Sequence, residues 1–208
     1  MSWLAPLLAV LLSAVAPQVT GEKVAAGVYR FHGEAEIAGP AAPLVAMVTA
    51  YDQQCRRGCR YEVPAVDRTI LLPGEREGLF YTWTFVDDLL DASYFVAVEV
   101  ERQGPLTTVR YATPPAAALA RLADAEHPHD PFFERQEGSW TFEELPAAAD
   151  GGPRTRVVAD LEMRSENFLV NLMPGQIVER TEKHLLLIYR YLDEAAAAAK
   201  SSGQAGGN

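Results

Sequence analysis

The chain has 208 residues, with 28 acidic and 18 basic side chains and a formal net charge of −10 at pH 7. This balance repels nucleic acid and anionic lipid surfaces at long range, which argues against nucleic-acid binding. The length suits one ordinary domain, and the sequence has no internal repeat and no domain-sized linker. We therefore predict a single folded domain without a nucleic-acid partner.

The first sixteen residues, MSWLAPLLAVLLSAVA, carry no charge and are almost entirely apolar. A run of about a dozen apolar residues is short for a bilayer span but suits the hydrophobic region of a secretory signal. Cleavage after Ala16 or after Gly21 would satisfy the small-residue rule, and we place the signal at residues 1–21. We predict export to a periplasm or to the outside of the cell. A retained anchor or a buried helix is the alternative.

The first strand and the first helix are predicted from two different periodicities. Residues 27–37, GVYRFHGEAEI, alternate apolar and polar side chains, with Tyr29 and Phe31 on the apolar side of a strand. In the segment LVAMVTAYDQQCRRG, Leu44, Val45 and Val48 recur at helical spacing.

Cys55 lies in the last turn of this predicted helix, and Cys59 lies just beyond its expected end. In an oxidising compartment we expect a disulfide between them, since positions i and i+4 of a helix have Cα atoms ~6 Å apart. Gly58 would end the helix and free Cys59 to reach its partner. Two free thiols or a redox pair are the alternatives, and no nearby histidine completes a zinc site.

Six further strands are predicted, because apolar residues alternate with polar ones between turn signals such as Pro73-Gly74 and Gln103-Gly104-Pro105. Such regular spacing is typical of an antiparallel meander. A short Ala-rich helix and a Pro-broken loop interrupt it at residues 114–131, and we assign this insert to the mouth of a ligand cavity. The six strands occupy residues 65–72, 78–88, 93–103, 106–113, 132–145 and 154–163.

A long amphipathic helix, entered at Pro174-Gly175, is predicted to end the domain at residue 194, and the Ala/Gly/Ser-rich residues 195–208 are predicted to be a disordered tail. The apolar face of an antiparallel sheet must be covered by another element, and this helix is the largest element available to cover it. A curved sheet around one long helix leaves an elongated apolar cavity. The fold class is therefore α+β. The apolar stripe of the helix consists of Ile177, Val178, Thr181, Leu185, Ile188 and Leu192.

The order of elements, strand, helix, six strands and a long final helix, resembles the helix-grip arrangement of the START-like (SRPBCC) superfamily. That superfamily includes lipid-transfer START domains and polyketide cyclase-like proteins. Local sequence is similar too, in GSWTFEELPAAADGGPRTRVVADLEM (138–163), in LMPGQIVERTEKHLLLIYRYLDE (172–194) and in VPAVDRTILL (63–72). RSENFLVNLM (164–173) departs from the Gly-rich step that lipid-binding members often have before the final helix.

The resemblance implies a seven-stranded curved antiparallel sheet wrapped around the C-terminal helix, with residues 22–194 as a ligand-binding domain. It implies a hydrophobic ligand (a lipid, isoprenoid or sterol-like compound) in an internal cavity, transient membrane contact, and no cofactor or metal. The expected cavity lining is Tyr81, Trp83, Phe85, Val96, Val98, Val109, Tyr111, Trp140, Phe142, Val157, Ala159, Leu161, Met163, Ile177, Thr181, His184, Leu185 and Ile188.

No catalytic residue is assigned, because no Ser-His-Asp order, Gly-rich phosphate loop or nucleophilic cysteine context is present. His184 lies at the edge of the apolar stripe and either contacts a ligand headgroup or lies exposed on the helix flank. His127 and His129 are predicted to lie in a solvated loop. Two alternatives remain: an interaction module with a filled core, or a cyclase, dehydrase or hydrolase using His184, Tyr81, Tyr111 or Arg110.

Overall fold

The computed structural model describes residues 16–87, 91–149 and 151–205, so most of the predicted signal lies outside the described residues. The strands are β1 (Gln18–Ala25), β2 (Val28–Ile37), β3 (Gln54–Cys55), β4 (Tyr61–Glu62), β5 (Val66–Pro73), β6 (Leu79–Asp87), β7 (Asp91–Gln103), β8 (Leu106–Ala112), β9 (Arg135–Leu145) and β10 (Arg154–Arg164). The helices are α1 (Ala41–Thr49), α2 (Ala116–Leu122), α3 (Phe168–Leu172) and α4 (Pro174–Ala205).

The predicted α+β architecture, one antiparallel sheet with a long C-terminal helix, is confirmed, but in the described residues the sheet has eight strands rather than seven. The strand order is β1-β2-β10-β9-β8-β7-β6-β5. The additional strand is β1, which pairs along β2 from Gln18 opposite Glu34 to Ala25 opposite Val28. The predicted signal boundary at residue 21 therefore falls inside a strand.

Cross-strand register assigns side chains to the two faces of the sheet. Phe31, Leu161, Gly138, Tyr111 and Val98 form one row across β2, β10, β9, β8 and β7. Because side chains alternate along each strand, every second residue from this row lies on the same face. We call this the inner face, since it carries the core that packs against α4.

The inner face packs closely against α4 beside Gly33. Tyr189 of α4 is fully buried, and a Cβ atom at Gly33 would lie 2.9 Å from its ring. The Tyr189 ring also meets Trp140 edge-on, with 5.5 Å between centroids. The missing side chain at Gly33 thus lets the helix approach the sheet, and α4 covers the β1 and β2 side of the inner face.

The far end of α4 differs from the predicted disordered tail. The helix continues to Ala205, and Ala195 and Ala196 are buried. A Cβ atom at Gly39 would lie 2.7 Å from the Ala196 Cβ, so the helix fits closely against the residues before α1. Alanine is the strongest helix former and its small side chain permits this approach, so the Ala-rich segment extends the helix. Residues 206–208 lie outside the described residues.

The cysteines do not lie on a helix, because α1 ends at Thr49. Cys55 is the last residue of β3, and Gly58 turns the chain with φ of +80° before Cys59. A disulfide joins the two cysteines, with Cα atoms 5.7 Å apart. The disulfide-bridged loop is preceded by a 3-10 turn at residues 51–53 and by β3. Both of these elements pack against β5. This segment therefore covers the β5 side of the inner face.

The insert between β8 and β9 covers the outer face of the sheet and is not placed at the cleft described below. Trp83 Nε1 donates to the Pro128 carbonyl oxygen at 2.9 Å, and the His127 ring meets the Trp83 indole edge-on at 5.0 Å. The Phe95 and His129 rings lie 6.1 Å apart. His127 and His129 therefore pack on aromatic residues instead of forming the solvated loop that was predicted.

Tyr81, Trp83 and Phe85 consequently lie on the outer face, which contradicts their predicted place in the cavity lining. Their intervening neighbours Thr82 and Thr84, opposite Val96 and Tyr94, occupy the inner face. The strand is covered on both faces, since Trp83 and Thr82 are each at most 2% exposed. Alternation in such a strand identifies two faces without identifying which of them faces the helix.

Acid is expected to loosen the insert through His129. Burial lowers the pKa of this histidine, with Asp130 partly opposing, and its neutral Nδ1 accepts a 3.4 Å hydrogen bond from the Phe95 backbone N–H. As the pH falls, His129 is therefore protonated in the unfolded chain before it is protonated in the folded protein. His129 lends its full stabilisation above pH ~6.5 and loses it as pH drops from there through its lower native pKa.

The check is urea unfolding at pH 7.5 and at pH 5.5. His129→Gln should show a smaller acid destabilisation than the wild type, whereas the exposed His32→Gln should not. Equal acid destabilisation in wild type and His129→Gln would contradict this role.

Gly27 should tolerate alanine much less than Gly104. Both have positive φ, +67° and +60°, where alanine costs about 1–2 kcal/mol. A Cβ atom at Gly27 would also lie 2.0 Å from the Ser165 carbonyl oxygen, whereas at Gly104, apart from its chain neighbours, no atom of the described residues lies within 4 Å of the Cβ position. Urea unfolding should therefore show at least twice the loss for Gly27→Ala. Equal losses in the free energy of unfolding for the two variants would mean that the Ser165 backbone can move away from the new methyl group at little cost.

Candidate functional site

We place the candidate site between the N-terminal half of α4 and the inner face of the sheet, where half-buried and exposed side chains on both elements indicate a cleft. α1 begins beside the C-terminal half of α4, where Gly39 lies against Ala196. Tyr191, on the flank of α4 turned toward β4, donates its hydroxyl to the Glu62 carbonyl oxygen at 2.7 Å. At 3.6 residues per turn, Ile177, Thr181, His184, Ile188 and Tyr191 share this flank.

Along this flank, burial changes from one half of the helix to the other. Ile188 and Tyr191 are 5% and 6% exposed, whereas Ile177 and Thr181 are half-buried and His184 is exposed. The N-terminal half of the flank therefore faces a gap that α1 does not fill.

The sheet side of the cleft is apolar. Its side chains lie on the inner face, and most of them are only half-buried, although all except Leu71 stand on strands that are paired on both sides. Leu71 of β5 is 40% exposed, and its partner Thr82 places it on the inner face. None of these described sheet side chains carries a formal charge. They are Leu71, Phe80, Tyr94, Val96, Val100, Tyr111 and Leu161.

Three tyrosines add polar groups to this apolar surface. Burial raises the pKa of Tyr94 to about 12, and burial together with the neighbouring Tyr94 raises the pKa of Tyr51. Burial, followed by the nearby Tyr51, also raises the pKa of Tyr111. The three phenols are therefore neutral hydrogen-bond donors at neutral pH.

Two of these phenols have no hydrogen-bond partner within the protein. The Tyr111 hydroxyl donates a long bond, 3.4 Å, to the Asp160 carbonyl oxygen. Among the described residues, the hydroxyls of Tyr51 and Tyr94 bond to nothing. Both residues are half-buried, and neither hydroxyl is among the buried, unpartnered side-chain atoms of the described residues, which are Arg56 Nε and Asn171 Oδ1, so solvent reaches both hydroxyls. The cleft thus offers two free donors.

His184 adds a third polar group on the helix side. The side chain is exposed, yet the surrounding protein lowers the pKa of its imidazole below the ordinary value by limiting hydration. In the part of the chain that the structure describes, no residue pairs with it.

The remaining predicted lining residues divide between the cleft and the closed core. Val96, Tyr111 and Leu161 border the cleft with Ile177, Thr181 and His184. Nine others, from the inner face and from α4, are buried by 94% or more in the core between sheet and helix. They are Val98, Val109, Trp140, Phe142, Val157, Ala159, Met163, Leu185 and Ile188.

The prediction missed Tyr51, Tyr94, Leu71 and Phe80. Tyr94 was detectable, because it alternates in phase with Val96. Tyr51 was assigned to the first helix, and only the 3-10 turn after α1 directs it toward Phe80, with 6.2 Å between their rings.

A separate groove of 680 Å³ lies mainly on the outer face, across β1, β2 and β10. Among its charged side chains, Arg30 pairs with Glu162 at 2.7 Å and His32 pairs with Asp160 at 2.8 Å. Such exposed cross-strand pairs contribute modestly to sheet stability. Within residues 16–87, 91–149 and 151–205, no group of three His, Cys, Asp or Glu side chains could hold a metal ion.

Solved structures share this arrangement of sheet and helix. A STAR-related lipid transfer protein from Xanthomonas axonopodis is 19% identical, with a TM-score of 0.60, over 85% of this chain and 93% of that one. Human STARD10 is 9% identical, with a TM-score of 0.59, over 91% and 73%. The fold is START-like. The di-domain ARO/CYC StfQ from the steffimycin biosynthetic pathway is 12% identical, with a TM-score of 0.53, over 84% and 52%.

At these identities the likeness shows the START-like fold alone. No family model matches the chain, and no curated protein does. Within the described part of the chain, no helix is both long enough and apolar enough to cross a membrane.

Proposed function

We propose that this START-like domain binds and carries a hydrophobic ligand with one neutral hydrogen-bonding group. The observation that carries the proposal is the pair of unpartnered phenols, Tyr51 and Tyr94, in a cleft otherwise lined by apolar side chains. The protein is proposed to be exported, in keeping with its predicted signal, and to act as a carrier or a sensor.

The chemistry of the cleft favours a ligand with an oxygen acceptor. A ligand that covered the two hydroxyls without accepting from them would leave polar groups unsatisfied, at a cost of about 1–3 kcal/mol each. A ligand with a hydroxyl, carbonyl or ester oxygen, which can accept from either phenol, avoids this cost. A charged headgroup finds no opposite charge among the seven sheet side chains that line the cleft, and burying an unpaired charge costs far more. A neutral lipid, isoprenoid or sterol-like compound therefore fits best.

The similar structures support the proposal at the level of fold. The Xanthomonas protein is named a lipid transfer protein, and the cleft here lies between the sheet and the C-terminal helix, where apolar pockets in such layered folds commonly form.

The alternative of an enzyme has less support. Of its four suggested residues, Tyr81 and Arg110 lie on the outer face, where Tyr81 donates to Glu75 and Arg110 pairs with Glu101. Only Tyr111 and His184 remain on the cleft side. An interaction module with a filled core is disfavoured by the half-buried inner-face side chains.

The test is titration of delipidated protein with a fluorescent NBD-labelled diacylglycerol and, separately, with NBD-labelled phosphatidylglycerol. The neutral probe should bind more tightly. Combining Tyr51→Phe and Tyr94→Phe should weaken its binding by about 5- to 30-fold, because two hydrogen bonds are lost. Tyr81→Phe is the matched control, since it removes a phenol hydroxyl from the outer face. Failure of the neutral probe to bind, or equal weakening by Tyr81→Phe, would refute the proposal.

A further inference from the structure

The short helix α3 displays large apolar side chains to solvent. Phe168 is 70% exposed, Leu172 is 59% exposed and Leu169 is 45% exposed. Asn167 caps the helix by accepting a 2.9 Å hydrogen bond from the Leu169 N–H, and Val170 is buried beneath it. The apolar side chains thus stand on an anchored helix, where burial would normally hide them.

The turn between β1 and β2 extends this surface. Gly27 lies against α3, since its carbonyl oxygen accepts a 2.8 Å hydrogen bond from the Ser165 N–H, and the Asn171 amide nitrogen is 3.5 Å from its Cβ position. Val24, at the end of β1, is 38% exposed. We call residues 24–27 and 168–172 together the apolar tip.

The apolar tip is also free of charge. Residues 24–28 and 167–178 contain no Asp, Glu, Lys, Arg or His, in a chain with 28 acidic and 18 basic residues. The second of these stretches leads into the first turn of α4, where Ile177 borders the cleft. The tip therefore lies at the end of the molecule from which the N-terminal half of α4 begins.

We infer that the apolar tip docks the protein on a membrane by inserting α3 and the β1–β2 turn into the interfacial layer of a neutral bilayer. Exposed Phe and Leu side chains on a polar scaffold bind such interfaces in proportion to the apolar area they bury. An uncharged tip on a molecule of net charge −10 suits zwitterionic lipids and gives no attraction to anionic ones.

A second copy of the chain is a poorer occupant. The four exposed side chains of the tip offer on the order of 400 Å², about half of the ~800 Å² per partner that specific interfaces bury. The tip is also small, since it consists of a turn and a five-residue helix.

Insertion is tested with two single thiols on the full chain carrying an NBD label. Leu169→Cys lies in the tip, and Leu186→Cys, on the opposite flank of α4, is the matched control because the two leucines are 45% and 43% exposed. The native cysteines are bridged and do not react. With vesicles of pure phosphatidylcholine, the label at 169 should shift to the blue and be quenched by lipid-borne nitroxides. The label at 186 should not change.

A second measurement is vesicle flotation of unlabelled variants. Combining Phe168→Ser with Leu172→Ser should lower the partition coefficient by about tenfold or more, because two large apolar side chains no longer insert, whereas Leu186→Ser should not. Both variants should still bind NBD-labelled diacylglycerol in vesicle-free solution, which separates docking from ligand binding.

Three outcomes would overturn the inference. One is a label at 169 that stays aqueous on vesicles, and another is stronger, salt-sensitive binding to phosphatidylglycerol vesicles. The third is a blue shift without vesicles that grows with protein concentration and accompanies a dimer in sedimentation, which would assign the tip to a second copy.

Discussion

Tyr189→Ala is expected to lower the free energy of unfolding by about 3–5 kcal/mol, as large-to-small changes of buried aromatic residues do. The Tyr189 side chain is fully buried, fills the space above Gly33 and meets the Trp140 ring. Its removal leaves a cavity where α4 touches the sheet most closely, and neither the helix nor the strand can collapse to fill it. Urea denaturation followed by circular dichroism measures the loss.

Two matched variants separate packing from other effects. Tyr189→Phe keeps the ring and removes a hydroxyl whose bond to the Val157 carbonyl oxygen is long, 3.4 Å, so about 1 kcal/mol or less should be lost. Leu186→Ala removes an exposed side chain from α4 and should cost about 0.5 kcal/mol or less. A Tyr189→Ala protein as stable as Leu186→Ala would show that α4 does not carry the core.

His184→Trp is expected to abolish ligand binding and leave the protein folded. His184 lines the cleft from the helix side, and an indole there would occupy the space that the ligand needs. Because the ring is exposed, the larger side chain does not have to displace the core. Overpacking costs of about 1–3 kcal/mol arise in filled cores and are not expected at an open site.

Titration with NBD-labelled diacylglycerol should show at least a tenfold weaker complex for His184→Trp, the loss that ~1.4 kcal/mol of binding free energy corresponds to. Leu186→Trp, two residues along the same helix but on another side, is the control and should bind as the wild type does. Equal binding by His184→Trp and the wild type would place the ligand elsewhere.

The outline of the fold was predictable because each element has one strong periodicity. β10 alternates without a break, and its inner-face residues Val157 and Ala159 are at most 1% exposed. The stripe of α4 likewise places Leu185 and Ile188 in the core. β1 was missed because its exposed edge position requires little apolar alternation, and its first residues follow the apolar segment read as a signal.

The site was predicted only in part, for a physical reason that β6 illustrates. Thr82 and Trp83 are both buried, but on opposite faces of the sheet. Composition favours the aromatic residues Tyr81, Trp83 and Phe85 as the cavity lining. The insert that covers Trp83 comes from residues 116–131, so its destination depends on tertiary contacts such as the bond to Pro128. Tyr51 likewise reaches the cleft through the end of α1 and not through any local pattern.

The two-layer cover of β6 and β7 has a mechanical consequence. Strands that are packed on both faces are rigid. We therefore expect the motions that admit a ligand to occur on the other side of the cleft, in the first turns of α4. Backbone amides at the centre of β6, around Thr82 and Trp83, should therefore exchange with deuterium far more slowly than those of the exposed edge strand β1. Faster exchange in β6 than in β1 would instead show that the sheet is the flexible side of the cleft.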